Sequence, residues 1–156
     1  MSLVRVSLLC SLCALAAAVY LASIGPHGLR DVAALGAARA AQLERALTEA
    51  GAPRLHSGPY LNEFAVRVPN AAEVHRRLLD RGVLAGLPLA RLEPADPTLA
   101  DALLVCATEV TKPAEIALFG RALGDEIERG RQLSLESPGV GWPAGSSGRQ
   151  AGEVAP

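Results

Sequence analysis

A chain of 156 residues is long enough for one modest domain with tails, and half of its residues are apolar, so a hydrophobic core is possible. The net charge of −1 gives no basic surface for nucleic acid, so we expect no nucleic-acid partner. Three cysteines provide no disulfide framework, and the Cys10–Cys13 pair lies in an apolar run where a redox motif is not expected.

The N-terminal segment from Val6 to Ile24 is a long apolar run, which fits a secretory signal peptide or a marginal membrane span. The alternative is a buried helix of a larger protein. The run continues without a polar linker into Gly25 and Pro26, which are typical of a helix end followed by a new helix start. We therefore favour a helix that packs on the next helix and on the domain, with residues 1–11 as an atypical beginning.

A second long helix is predicted from about Pro26 to Ala50, with Gly51 as its C-cap. Apolar and small residues at spacings of three and four predict one inner face, formed by Leu29, Val32, Gly36, Ala40, Leu43 and Leu47. The charged residues Arg39 and Glu44 lie elsewhere on the helix and are expected in solvent.

A strand is predicted from Asn62 to Val68, because every second residue there is apolar. Pro69 and Asn70 are expected to begin a helix that runs to about Arg81, with His75 on its polar side. A glycine-interrupted strand is predicted from Val83 to Leu89.

The segment from Ala102 to Ala107 is apolar on both faces, which is typical of a central strand. We expect Leu104 to be buried in it and Leu61, near the start of the first strand, to be more exposed. Thr111 is predicted to cap a last helix that begins at Lys112, and its core stripe is Ile116, Phe119, Leu123 and Ile127.

The predicted fold is therefore α+β: a small, mostly antiparallel sheet with helices on one side, preceded by two long helices. The predicted division is a helical segment at residues 1–50, a small α+β domain at 51–130, and a disordered tail at 131–156, where Gly, Ser and Pro dominate.

The candidate functional residues are polar groups at strand ends: Asn62, Glu63, Thr108 and Glu109. Such residues often reach a site, although turn and cap hydrogen bonding is the simpler interpretation. The histidines His27, His56 and His75 lack metal-ligand spacing, and Lys112 is expected in solvent in a first helical turn. The sequence therefore predicts no catalytic, cofactor-binding or metal-binding residue.

The runs Pro59–Val68 (PYLNEFAVRV) and Asp101–Glu109 (DALLVCATE) resemble the C-terminal region of the glycine cleavage system P protein. More narrowly, roughly Leu12 to Arg129 resembles glycine dehydrogenase (decarboxylating) subunit 1 of the two-subunit bacterial form. The resemblance implies the small C-terminal domain of a fold-type I pyridoxal-phosphate enzyme and a cytoplasmic protein for which a membrane partner is not expected.

The family decarboxylates glycine on pyridoxal phosphate and passes the aminomethyl group to a lipoyl carrier protein. The resemblance implies that subunit 2 carries the cofactor, so the expected partners are subunit 2 and the lipoyl carrier protein. It also implies a truncated subunit that binds no cofactor and is not catalytic alone. The alternative is a secreted or membrane-tethered small α+β binding module with residues 1–24 as its signal peptide.

Overall fold

The structure is a computed structural model that describes residues 3–136. Its elements follow the predicted order: α1 (Leu3–Glu49), β1 (Glu63–Arg67), α2 (Ala71–Asp80), β2 (Leu87–Pro88), two 3₁₀ turns (Leu89–Arg91 and Pro97–Leu99), β3 (Ala102–Cys106) and α3 (Pro113–Glu136). The last helix therefore includes residues 131–136, which the sequence analysis assigned to a disordered tail. The rest of that predicted tail, residues 137–156, lies outside the described residues.

Helix α1 consists of two helical halves joined by a kink at Gly25, whose φ of 67° is outside the helical region. A positive φ costs glycine little because it has no Cβ, so this residue allows the change of direction. The two predicted helices are confirmed. The predicted packing of the first one is wrong, because residues 6–23 are exposed throughout. We call residues 6–24 the arm.

The second half of α1 forms one wall of the hydrophobic core. Ala40, Leu43 and Leu47 are buried as predicted, whereas Leu29 is about half exposed because nothing in the described chain covers this part of the helix. Arg39 and Glu44, which were expected in solvent, are half-buried. The Glu44 side chain meets groups that lie beyond the end of α1, which the periodicity of the helix alone does not indicate.

The sheet has the order β1-β3-β2, and both pairings are antiparallel. Its core face presents Phe64, Val66, Leu103 and Val105, all buried. A bridge between Arg54 and Val66 adds a short piece of extended chain beside β1. The prediction of an α+β fold with a central Ala102–Ala107 strand is confirmed.

The opposite face of the sheet is more open. Leu104 on β3 is half-buried, and Cys106 is exposed, so the prediction that both faces of the central strand are buried is wrong at these positions. The reason is that the helices cover one face only. Leu61 is exposed, as expected.

Helix α2 buries Ala71, Val74 and Leu78, as predicted. His75 is also buried, which corrects its placement on the polar side, because the buried face of this short helix is wider than the apolar stripe. Asn70 has a left-handed conformation and makes no side-chain cap hydrogen bond; its N–H donates to the Asp101 carboxylate at 2.8 Å.

Alanine substitutions on the two faces of β3 should lower the free energy of unfolding by different amounts. Leu103→Ala should lower the free energy of unfolding by about 2–5 kcal/mol, because the side chain is fully buried and leaves a cavity. Leu104→Ala should cost clearly less, since its half-exposed site can refill with water. Denaturant melts of the two variants make this comparison, and a larger loss for Leu104→Ala would mean that the open face is covered.

Candidate functional site

The four strand-end candidates lie together at one end of the sheet. Glu63, the first residue of β1, pairs with Cys106, the last residue of β3. The N–H of Ala107 then donates to the carbonyl of Asn62 at 2.9 Å. Antiparallel pairing therefore brings Asn62 and Glu63 beside the turn that carries Thr108 and Glu109.

This turn joins β3 to α3 and packs on α1. The N–H of Thr108 donates to Oγ1 of Thr111 at 3.0 Å, and the N–H of Thr111 donates back to the carbonyl of Thr108 at 3.0 Å. The backbone nitrogen of Glu109 lies 3.8 Å from the place that a Cβ on Gly36 would occupy. These contacts give Thr108 a role in the turn. A functional role for the four candidates stays a prediction.

An apolar groove runs beside this strand end, with a cavity volume of about 650 Å³. We call it the β3 groove, and its characteristic lining residues are Leu84, Leu87, Leu104, Cys106 and Leu118. Gly86 shapes it, since a Cβ there would lie 2.2 Å from the carbonyl oxygen of Leu104. The surface suits an apolar side chain better than a charged substrate.

The thiol of Cys106 in this groove is a poor nucleophile. Burial raises its pKa, and the nearby negative charge of Glu63 raises it further. Since the thiolate is the reactive form, both effects keep this cysteine in its less reactive thiol form.

Lys112 lies in solvent at the beginning of α3. Its side chain is 76% exposed, and its ammonium nitrogen is 4.0 Å from the Glu115 carboxylate. Its backbone N–H donates to the same carboxylate at 3.0 Å, so Glu115 satisfies a free N–H at the start of the helix. Thr111, predicted to cap α3, accepts from Thr108 instead.

Helix α3 carries a buried carboxylate that was not predicted from the sequence. The Glu126 side chain of α3 is fully buried, and arginines from two helices surround it. Arg81 donates to Oε1 at 3.0 Å and Arg129 at 3.1 Å, while Arg77 lies 3.7 Å from Oε2. A buried charge needs such partners to offset its lost hydration. The only sequence signal was a glutamate beside Ile127 of the predicted core stripe.

A second cluster attaches the Pro59–Tyr60 turn to α1. The Tyr60 hydroxyl donates to the Glu44 carboxylate, which also pairs with Arg54 at 3.3 Å. The Arg54 guanidinium lies 4.9 Å from the centre of the Tyr60 ring. Part of the recognisable PYLNEF run therefore has a structural role in this chain.

Metal chemistry has no support among residues 3–136, where no three His, Cys, Asp or Glu side chains are grouped to hold an ion. His27 and His56 are exposed. The buried His75 has an Nδ1 atom without a hydrogen-bond partner in the described part of the chain.

The fold is similar to that of one part of glycine decarboxylase. A crystal structure of glycine decarboxylase, the P protein of the glycine cleavage system, in inhibitor-bound form, matches 69% of this chain with a TM-score of 0.59 and 30% sequence identity. The match covers 24% of that protein.

Curated relatives specify the particular subunit. "Probable glycine dehydrogenase (decarboxylating) subunit 1" of Anaeromyxobacter dehalogenans (strain 2CP-C) is 43% identical over 112 residues, which are 72% of this chain and 25% of that protein. The same subunit of Oceanobacillus iheyensis is 38% identical over 113 residues. Over the matched residues, the chain is a homologue of glycine dehydrogenase (decarboxylating) subunit 1, and it spans about a quarter of the length of these relatives.

No family model matches the chain. The α1 helix is long and apolar enough, by length and composition only, to cross a membrane. A signal sequence passes the same test, so this finding is weak evidence. The homologues favour the glycine dehydrogenase interpretation over a secreted or membrane-tethered module.

Removing the buried carboxylate should destabilise the domain. Glu126→Ala should cost about 2–3 kcal/mol, somewhat below the 3–5 kcal/mol typical of a broken buried pair, because the three arginines are partly exposed and can rehydrate. The matched control, Glu128→Ala, removes an exposed pair with Arg131 and should cost at most about 1 kcal/mol. Equal losses of unfolding free energy in urea melts would contradict the stabilising role of the Glu126–arginine cluster.

The Tyr60 hydroxyl should lose its proton at a higher pH than an ordinary tyrosine. Burial raises its pKa to about 12, and the Glu44 carboxylate adds to the shift by accepting its hydrogen bond and by its negative charge. Because the folded pKa exceeds the unfolded value of about 10, this contribution to stability is complete below pH 10 and is lost as pH rises towards 12. In a Tyr20→Phe background, which leaves Tyr60 as the only tyrosine, ultraviolet titration should show the high midpoint. Adding Glu44→Gln should lower it, and an unchanged midpoint would exclude the contribution of Glu44.

Proposed function

We propose that this chain provides the small domain of glycine dehydrogenase (decarboxylating) subunit 1, of the kind found in fold-type I pyridoxal-phosphate enzymes. The observation that carries the proposal is the agreement of two comparisons: 72% of the chain matches the curated subunit in sequence, and 69% matches glycine decarboxylase in structure. The three-stranded antiparallel sheet with helices on one face fits a small domain that packs against a larger partner.

In this proposal the whole enzyme decarboxylates glycine, and pyridoxal phosphate supplies the electron sink for that reaction. The aminomethyl group passes to a lipoyl carrier protein. This chain contributes shape and contacts, and its partner is subunit 2, as the name "subunit 1" of its relatives implies.

The described residues do not fit pyridoxal phosphate. The cofactor needs a lysine for its Schiff base, and the sequence holds one lysine, Lys112. That side chain is 76% exposed and pairs with Glu115 at the beginning of α3. Lys112 therefore does not suit the Schiff base, and we propose that the cofactor binds on subunit 2, as the resemblance to the family implies.

A cytoplasmic location is part of the proposal. Its support is the state of the cysteines, since Cys10, Cys13 and Cys106 are all free and exposed. Thiols in this state suit a reducing compartment.

The proposal predicts where the cofactor binds in a mixed assembly. The chain should copurify with a coexpressed subunit 2 from the same genome. After borohydride reduction, mass spectrometry should find a pyridoxyl adduct on a lysine of subunit 2 and none on Lys112, and a Lys112→Arg variant should give the same result. Failure to copurify, or a stoichiometric adduct on Lys112, would overturn the proposed function.

A further inference from the structure

The chain presents two exposed apolar surfaces. One is the arm, whose residues 6–23 are exposed throughout. The other is the β3 groove, where Leu84 is 80% and Leu118 51% exposed. Large exposed apolar surfaces on a soluble domain are typical of interaction sites.

The arm is apolar on all sides, and one of its faces has the spacing of a helix that binds in a groove. Leu8, Leu12, Leu15 and Val19 are each more than half exposed and follow spacings of four, three and four residues. This spacing places them on one face of a helix, as in helix-in-groove recognition. Residues 6–24 contain no Asp, Glu, Lys or Arg, so the arm carries no charge that would have to be buried.

The groove offers the complementary shape. Its cavity of about 650 Å³ has room for several aliphatic side chains, and half-buried Leu87 and Leu104 form part of its floor. The carboxylates of Glu63 and Glu115 also line it. An uncharged arm can enter without repulsion from these two acidic groups.

We propose that the arm of one copy binds in the β3 groove of a second copy, and that the exchange is reciprocal in a symmetric homodimer. The arm does not occupy its own groove, since residues 6–23 are exposed in the single chain. One chain thus carries both the helix and its groove. A dimer with twofold symmetry makes this contact twice, so the arm and the groove of each copy are both covered.

The area is sufficient for such a dimer. Four arm side chains bury roughly 400 Å² at about 100 Å² each, and the groove leucines add roughly 300 Å². Two equivalent contacts then bury about 1,400 Å², within the 1,200–2,000 Å² typical of a specific protein interface. Pairing of two arms alone would leave both grooves open.

Sedimentation equilibrium of the full chain tests the assembly. The expected mass is twice 16.1 kDa. Leu12→Glu in the arm and Leu84→Glu in the groove should both give monomers. The matched control Leu79→Glu, at an exposed leucine on α2, should leave the dimer intact.

Three sedimentation outcomes would overturn the proposal: a monomeric native chain, aggregates that grow with concentration, or a Leu84→Glu variant that stays dimeric. Flotation of the native chain with phosphatidylcholine vesicles would show that the arm prefers lipid and would overturn it as well. None of these measurements involves subunit 2, so their failure is distinct from failure of the proposed function.

Disulfide trapping tests the contact itself. Cys106 lies in the groove, so a cysteine on the arm face should reach it in the other copy. In a Cys10→Ser, Cys13→Ser background, Leu12→Cys or Leu15→Cys should give an oxidised dimer on nonreducing gels. Adding Cys106→Ser should abolish it. A crosslink that survives Cys106→Ser would indicate pairing between two arms and overturn the exchange, as would the lack of any crosslink.

Discussion

The close parallel contact between α1 and α3 is the constraint on which the rest of the structure depends. A Cβ on Gly120 would lie 3.3 Å from the Ala46 side chain, and one on Gly124 would lie 3.6 Å from Ala50. Small residues therefore let the two backbones approach closely, as in other tightly packed helix pairs. The contact places Leu43 beside the first turns of α3 and closes the core over one face of the sheet. It also fixes where α1 leaves the domain.

The arm and the strand-end residues both follow from this arrangement. Because α1 and α3 run in the same direction, the N-terminal end of α3 and the turn before it lie near Gly36. Towards its own N-terminus, helix α1 extends beyond the beginning of α3. The residues before Gly25 therefore have no part of the domain beside them. The candidates Asn62, Glu63, Thr108 and Glu109 lie at this same end of the molecule, next to the β3 groove.

The sequence pattern predicted the helices and strands better than it predicted which of them pack against each other. The alternation in β1 and the apolar run of β3 gave the correct strands, and Gly25 marked the break in α1. These features are local. The burial of His75 and Glu126 and the open site of Leu104 depend on which element covers which face. The ion pair between Arg81 and Glu126 joins residues 45 positions apart, and nothing in either local sequence specifies the other.

The sequence runs that point to the family also do not by themselves reveal what these residues do in the structure. The PYLNEF and LLVCATE runs identified the relatives, yet in the structure Tyr60 attaches a turn to α1 and Thr108 stabilises another. Residues that make a segment recognisable can do so because the domain needs them to hold its shape. The recognisable runs therefore report the shape that this chain shares with about a quarter of the length of its relatives.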